Sequence, residues 1–244
     1  KSTTIGFSET VRTADGAGSG WVSRPGNSTD DVNFKELSRI AVDKAVLSAA
    51  PRSLDPGNYV TILEHSCVAD LLQNMSFAFD ARNADEGRNF FSTKGGGNRI
   101  GEKMFPDIVN VSTDPIHASA PGSPWSGGGL PSSKIDWVKE GTITNLNYSR
   151  YWAQKQGKEP TGFPVNVIMK GGKESLEELI KSTKQGVLVT SFWYIRGVDP
   201  RTLLFTGLTR DGVFWIENGK IAYPVNNFRW NDSPISMLKN IDSM

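Results

Sequence analysis

Metal or thiol chemistry in this 244-residue chain would have to be built from two histidines, His65 and His117, and one cysteine, Cys67. A catalytic zinc site needs three protein ligands, an open fourth position and a carboxylate that takes a proton from the bound water. His65, Cys67 and Asp70 are the local group that carries metal-binding side chains. Residues two apart on a helix point in different directions, so His65 and Cys67 make a poor chelating pair. Cys67 therefore reads as a small buried hydrophobe and His65 as a helix-start residue. His117 stands in an irregular stretch. No serine sits in a Gly-x-Ser-x-Gly elbow, which leaves a Ser-His-Asp hydrolase without support. Gly95-Gly96-Gly97 and Gly127-Gly128-Gly129 lack the Lys-Ser/Thr sequel of a phosphate loop and read as turns.

A different signal lies late in the chain, where Phe192, Trp193, Tyr194, Phe205, Phe214, Trp215, Tyr223, Phe228 and Trp230 cluster. Strand alternation would put Phe192 and Tyr194 on one face and Trp193 on the other, one set filling the core and the other facing a cavity or a partner. Arginines beside aromatics suit a peptide carboxylate or an interface. Trp193, Tyr194, Arg196, Asp199 and Arg229 are accordingly the candidate peptide-binding or interface residues. The competing structural reading is an Arg-Asp pair that steadies the loop before Pro200.

The elements that must position these residues follow from period and punctuation. Residues 1 to 24 alternate around the glycine-rich connection Thr13 to Gly20, an edge-like hairpin whose first strand runs from Ser2. Phe34, Leu37, Ile40, Ala41 and Ala45 fall at helical spacing behind the cap candidates Asp31 and Asn33. Leu54-Asp55-Pro56-Gly57 is a turn and marks the expected domain boundary, dividing 1–54 from 55–244. Asn58 to Glu64 is strand-like, and a long helix is expected from about Ser66 to Asn83. Ile108 to Thr113 and Val165 to Met169 read as strands. The stretch Pro121 to Pro131 must be an ordered functional loop or a mobile lid. Ile135-Val138 and Thr142-Leu146 form a hairpin, Tyr148 to Gln156 a short helix, and Ser175 to Lys184 a helix opened by a Ser175/Glu178 capping box. Gly186 to Ile195, Thr202 to Thr209, Val213 to Ile216 and Ile221 to Val225 are expected strands of an antiparallel meander, joined at Arg210-Asp211-Gly212 and Glu217-Asn218-Gly219 by turns with the Asp-Gly and Asn-Gly signature and closed by a helix from Pro234 to Ile241. The fold class is α+β, mainly antiparallel and barrel-like in its carboxy-terminal domain, with a few packed helices.

Composition bounds the rest. The 27 basic and 26 acidic residues nearly cancel, which removes the positive field that a nucleic-acid binder uses. No apolar run approaches the ~18 residues that span a bilayer. A single cysteine allows no internal disulfide and points mildly to the cytoplasm. The chain begins with Lys1 and opens directly into strand-like sequence, so it reads as a fragment whose amino terminus has been removed.

Several ordered blocks carry a resemblance. Asp85-Glu86-Gly87-Arg88, Tyr151 to Pro160, Gly171-Gly172, Gly186 to Pro200, Thr206 to Gly212, Ile216 to Ile221 and Pro224 to Arg229 resemble the carboxy-terminal domain of TldD/PmbA proteins, over residues 57 to 244. The first ~50 residues resemble the end of the family's central region. The resemblance implies zinc metalloproteases that process short or unfolded peptides, also called modulators of DNA gyrase. These work as paired homologous subunits, of which one carries the metal on a His-Glu-x-x-x-His helix and a downstream Cys. Here His65 stands where that motif would begin, Ser66 replaces the base, Asp70 replaces the second histidine, and the late strands hold no cysteine. His65, Cys67 and Asp70 are thus a remnant position without metal, and zinc is expected only in a metal-bearing homologous partner. The expected function is a non-catalytic PmbA-like subunit of a peptide-processing metalloprotease complex that contributes to pairing and peptide binding. Its expected partners are a TldD-like subunit or a second copy of itself, and a short or unfolded peptide, with no nucleic acid and no membrane. The alternatives are an active metallopeptidase with a divergent site and a regulatory protein-interaction module.

Overall fold

The computed structural model describes residues 3–244; Lys1 and Ser2, including the expected start of the first strand, lie outside the described residues. In chain order the elements are β1 (Ile5–Arg12), β2 (Ser19–Gly26), α1 (Phe34–Leu47), β3 (Thr61–Leu63), α2 (His65–Ser76), α3 (Ala81–Asp85), β4 (Val111–Thr113), β5 (Ile135–Lys139), β6 (Thr142–Ile143), α4 (Arg150–Gln156), β7 (Ile168–Met169), α5 (Leu176–Ser182), β8 (Gln185–Val189), β9 (Phe192–Asp199), β10 (Leu204–Thr209), β11 (Val213–Glu217), β12 (Lys220–Pro224), β13 (Arg229–Asp232) and α6 (Pro234–Lys239). The fold is α+β with mostly antiparallel sheets, and among the described residues these sheets stay open rather than closing into a barrel. No helix among the described residues is long and apolar enough to cross a membrane. The chain forms two compact units that interleave along the sequence. One comprises the chain up to Asp70 with Glu174–Ile195 and Thr206–Trp230; the other comprises Leu71–Lys173 with Arg196–Phe205 and Asn231–Met244.

In the first unit, β1 and β2 pair antiparallel from Ile5↔Gly26 to Arg12↔Ser19. Helix α1 begins at Asn33, whose side chain accepts the Glu36 N–H, and lies close against β2. Glycine makes that approach feasible, because a Cβ on Gly20 would stand 2.1 Å from the Ala41 carbonyl oxygen. Beside the hairpin's helix, a four-stranded sheet runs β12-β11-β8-β3. Its β11–β12 turn has Asn218 and Gly219 both at positive φ, the mirror-image geometry that suits a two-residue hairpin. Ile62, Leu188, Phe214 and Ile216 form its buried core, covered by Leu176, Leu179 and Ile180 of α5. Each such side chain contributes ~1.5–3 kcal/mol by leaving water. Ser175 and Glu178 close the capping box that starts α5.

The second unit is built on the sheet β6-β5-β4-β7. Fully buried Trp137 stacks on Phe79 at 5.4 Å, and its indole N–H donates to Thr113 Oγ1 at 2.8 Å. Asp85 ties two of the resemblance blocks together, accepting from Trp152 Nε1 at 2.7 Å and from Asn98 Nδ2 at 2.6 Å. The glycine-rich stretch around Gly127–Gly129 is an ordered turn: Ser126 N–H donates to Leu130 O, and Arg150 donates to the carbonyls of Gly128 and Gly129.

Three expectations are corrected. The long helix from Ser66 to Asn83 is broken, because α2 stops at Ser76, a 3-10 turn covers Phe77–Phe79, and extended Asp80 then caps the separate helix α3. Asp80 competes with helical hydrogen bonding by accepting the Asn83 N–H at 2.7 Å. The late strands are not one meander, because β8, β11 and β12 belong to one sheet while β9, β10 and β13 form another. The Arg210-Asp211-Gly212 turn therefore carries the chain between sheets instead of closing a hairpin. Finally, Tyr194 does not share the buried face of Phe192. Its φ of 54° interrupts the pleat of β9, so Trp193 and Tyr194 are both exposed.

Candidate functional site

The first candidate lies where β3 hands over to α2. β3 pairs in parallel with β8, and Glu64 N–H continues that pairing by donating to Val189 O at 3.1 Å. The Glu64 carbonyl then accepts from Cys67 N and Val68 N at 2.9 and 3.2 Å, which starts the helix within one residue of the sheet. This geometry sends His65 to the surface and turns Cys67 inward, fully buried with its thiol 3.5 Å from Val189 O. Ser66 Oγ donates to Thr190 O at 2.8 Å. Burial, reinforced by the negative charges of Glu64 and Asp70, pushes the Cys67 thiol far above its usual range, so it stays protonated. Partial burial of the carboxyl also raises Asp70, although the residue remains exposed. Glu64, the adjacent carboxylate, is engaged by Lys44 Nζ at 2.7 Å in a pair whose side chains keep only 14% and 11% of their surface.

The second candidate is the corner formed by the start of β9 and the turn after β10. Phe192 is buried against Trp230 at 4.8 Å, whereas Trp193 and Tyr194 keep 53% and 57% of their surface. Arg210 lies over the Trp193 ring, 4.5 Å from its centroid. Two of the other predicted residues, Asp199 and Arg229, bond to neighbours of their own. Asp199 accepts from Arg201 N–H at 2.9 Å and Thr202 Oγ1 at 2.8 Å, and these bonds hold its pKa below the usual carboxylate range. It thus steadies the turn before β10 through a backbone N–H and a hydroxyl, with no arginine guanidinium among these two bonds. Arg229 donates to Thr206 Oγ1 at 3.1 Å, and Arg196 is exposed on β9.

A cleft of about 370 Å³ in the second unit is lined by residues that include Lys134, Asp136, Thr144 and Asn145. Its polar lining is partly used within the fold, since Thr144 Oγ1 and Asn145 Nδ2 both donate to the Asp136 carbonyl.

Residues 56–244 match the family model described as the PmbA/TldA metallopeptidase C-terminal domain. The chain belongs to the PmbA/TldD family. A metalloprotease PmbA homolog of Buchnera aphidicola is 30% identical over 152 residues, which is 60% of this chain and 33% of that protein. A metalloprotease of Methanothermobacter thermautotrophicus is 27% identical over 231 residues, 87% of this chain and 48% of that protein. The matched region thus spans no more than about half of either relative. The same fold occurs in a candidate modulator of DNA gyrase from Thermotoga maritima, with a TM-score of 0.85 at 23% identity, covering 98% of this chain and 56% of that one.

A PmbA/TldD metallopeptidase requires a metal, and the donors at the β3–α2 junction do not fit one. Zinc takes thiolate, neutral imidazole or carboxylate converging on one point. Here the thiol is held protonated by burial and faces Val189, the imidazole and Asp70 are exposed, and the Glu64 carboxylate is paired with Lys44. Among the described residues, no group of three or more His, Cys, Asp or Glu side chains converges in a metal-binding arrangement. What sequence reasoning missed in this PmbA/TldD domain is Arg210. Its partner Trp193 lies on β9, the neighbour of β10 in the same sheet, and the pairing of those two strands brings Trp193 beside the turn that carries Arg210.

Proposed function

We propose that this chain is a non-catalytic, PmbA-like subunit of a peptide-processing metalloprotease complex, contributing to pairing and to the holding of an extended peptide. In this reading residues 1–54 are the end of the family's central region and residues 55–244 its carboxy-terminal domain. The partner is a metal-bearing homologue or a second copy, and the free thiol of Cys67 suits the cytoplasm. The observation that supports the reading is the β3–α2 junction, where Cys67 is buried against Val189, Glu64 is paired with Lys44, and among the described residues no three His, Cys, Asp or Glu side chains converge. Exposed Trp193 and Tyr194 support the peptide-holding part, since aromatic surface of this kind anchors partners.

The test is to purify the full-length protein alone, measure its zinc content and assay cleavage of unfolded peptides. Sub-stoichiometric zinc and no cleavage are expected, with activity appearing when a metal-bearing homologue is added. Stoichiometric zinc together with chelator-sensitive cleavage by the isolated protein would sink the proposal.

A further inference from the structure

Arg210 is held by its neighbours in a way that leaves part of its guanidinium uncommitted. Its backbone N–H donates to Ser191 O at 3.0 Å, which fixes where the side chain begins. The guanidinium rests on the Trp193 ring at 4.5 Å. Its Nε side faces Asp211 Oδ2 at 3.6 Å. Asp211 is itself fixed: it is 7% exposed, has a φ of 54° in the left-handed region, and its Oδ1 accepts from Ser19 Oγ at 2.6 Å. Ser19 is anchored in turn by Ser48, whose hydroxyl accepts the Ser19 N–H at 2.8 Å and donates to its carbonyl at 2.9 Å.

Among the described residues the guanidinium meets the Trp193 ring and Asp211, and neither terminal nitrogen has a hydrogen-bond partner. The side chain keeps 36% of its surface in solvent. Arg39 and Arg99 differ, because their terminal nitrogens bond to carboxylates on their own segments, Glu36 and Asp43 in one case and Glu102 in the other. A planar guanidinium with its terminal edge open matches one carboxylate through two parallel N–H···O bonds. The aromatic floor excludes water from one face and strengthens such a pair. Asp211 already offsets part of the charge, which suits a single carboxylate better than a multiply charged anion.

We propose that Arg210, stacked on Trp193 beside Tyr194, is the receptor for a carboxylate of a bound peptide. This rests on the peptide-holding reading above and makes it specific. The carboxylate comes either from the peptide's carboxy terminus or from an acidic side chain, while the exposed Tyr194 ring lies beside the neighbouring peptide residue.

The experiment is isothermal titration of the full-length protein with three acetylated pentapeptides of one apolar sequence: the free acid, the carboxy-terminal amide, and an amide carrying one internal glutamate. The free acid, the glutamate amide or both are expected to bind about tenfold or more tightly than the plain amide. Arg210→Gln is expected to erase that preference with an unchanged melting temperature, and Trp193→Leu to reduce it. Which acidic peptide gains affinity distinguishes the two sources of the carboxylate. Equal binding of all three peptides, or a preference that survives in both variants, overturns the inference while leaving the peptide-holding reading intact. No binding by any of them overturns that reading as well.

Discussion

The β3–α2 junction and the Trp193–Arg210 corner belong to the same compact unit, and both place charged or reactive groups next to the central strands. At the junction three groups are turned inward or matched, Cys67 to Val189, Ser66 to Thr190 and Glu64 to Lys44, while His65 and Asp70 lie at the surface. At the corner the inner groups are matched, Asp211 to Ser19 and Arg210 to Asp211, while the outermost guanidinium edge and two aromatic rings face solvent. A buried polar group without a partner is costly, so the junction's bonds account for a folded structure without calling on any ligand. The corner goes further than stability requires, and this asymmetry is the reason we propose ligand recognition at the corner and structural support at the junction.

Substitutions can break this contrast. The largest effect is expected from Lys44→Met, which leaves the largely covered Glu64 carboxylate without its counter-ion and should lower unfolding free energy by about 3 kcal/mol in urea titration. Adding Glu64→Leu should restore most of the loss; a single variant as stable as the parent would mean that the junction is not held by this pair. Asp211→Ala, which removes the inner support of the corner, should cost about 1.5–3 kcal/mol through the lost charged hydrogen bond from Ser19.

Cys67 supplies a pH signature. Its folded pKa lies above its unfolded value, so the stability linked to its proton is present at neutral pH and is lost as pH rises past the unfolded thiol's pKa of about 8.5. Stability should therefore fall by up to about 1.4 kcal/mol per pH unit there, and the Cys67→Ala protein should lack that component of the slope. Identical alkaline slopes would contradict a thiol held protonated by burial. The smallest effect is expected from Arg210→Gln, within about 0.5 kcal/mol by thermal denaturation, as befits a half-exposed side chain whose outer edge supports nothing.

Much of the scaffold was legible in the sequence. The β1–β2 hairpin, α1 behind Asn33, the Ser175/Glu178 capping box and the Asn218-Gly219 turn all follow local rules of period and punctuation, and the structure has each of them. The junction was legible too, because strand and helix meet there within a few residues and Cys67 reads as a buried hydrophobe. The corner was only half legible. Trp193 and Tyr194 stand out by composition, but the left-handed Tyr194 backbone defeats simple alternation, and which residue of the turn after β10 meets Trp193 depends on a strand register that period and punctuation do not give. Asp211-Gly212 carries the same turn signature as Asn218-Gly219. Its different outcome depends on which sheet receives the next strand, a long-range choice involving Ser19, which is 192 residues away along the chain. The break at Asp80 was likewise hidden, since a helical apolar pattern continues through a residue whose side chain prefers to cap.

The interleaving of the two units has a consequence for how the chain comes into being. The first needs strands that end only at Trp230, and the second draws on residues as late as Asn231–Met244. Neither can be completed while the ribosome is still making the middle of the sequence. The early hairpin and α1 must wait through roughly 140 intervening residues for β8 and more for β11, a delay of about ten seconds or longer at ordinary elongation rates. Apolar strands such as β3 stay uncovered in that interval, so chaperone dependence during synthesis should be concentrated on the nascent chain rather than on the finished protein.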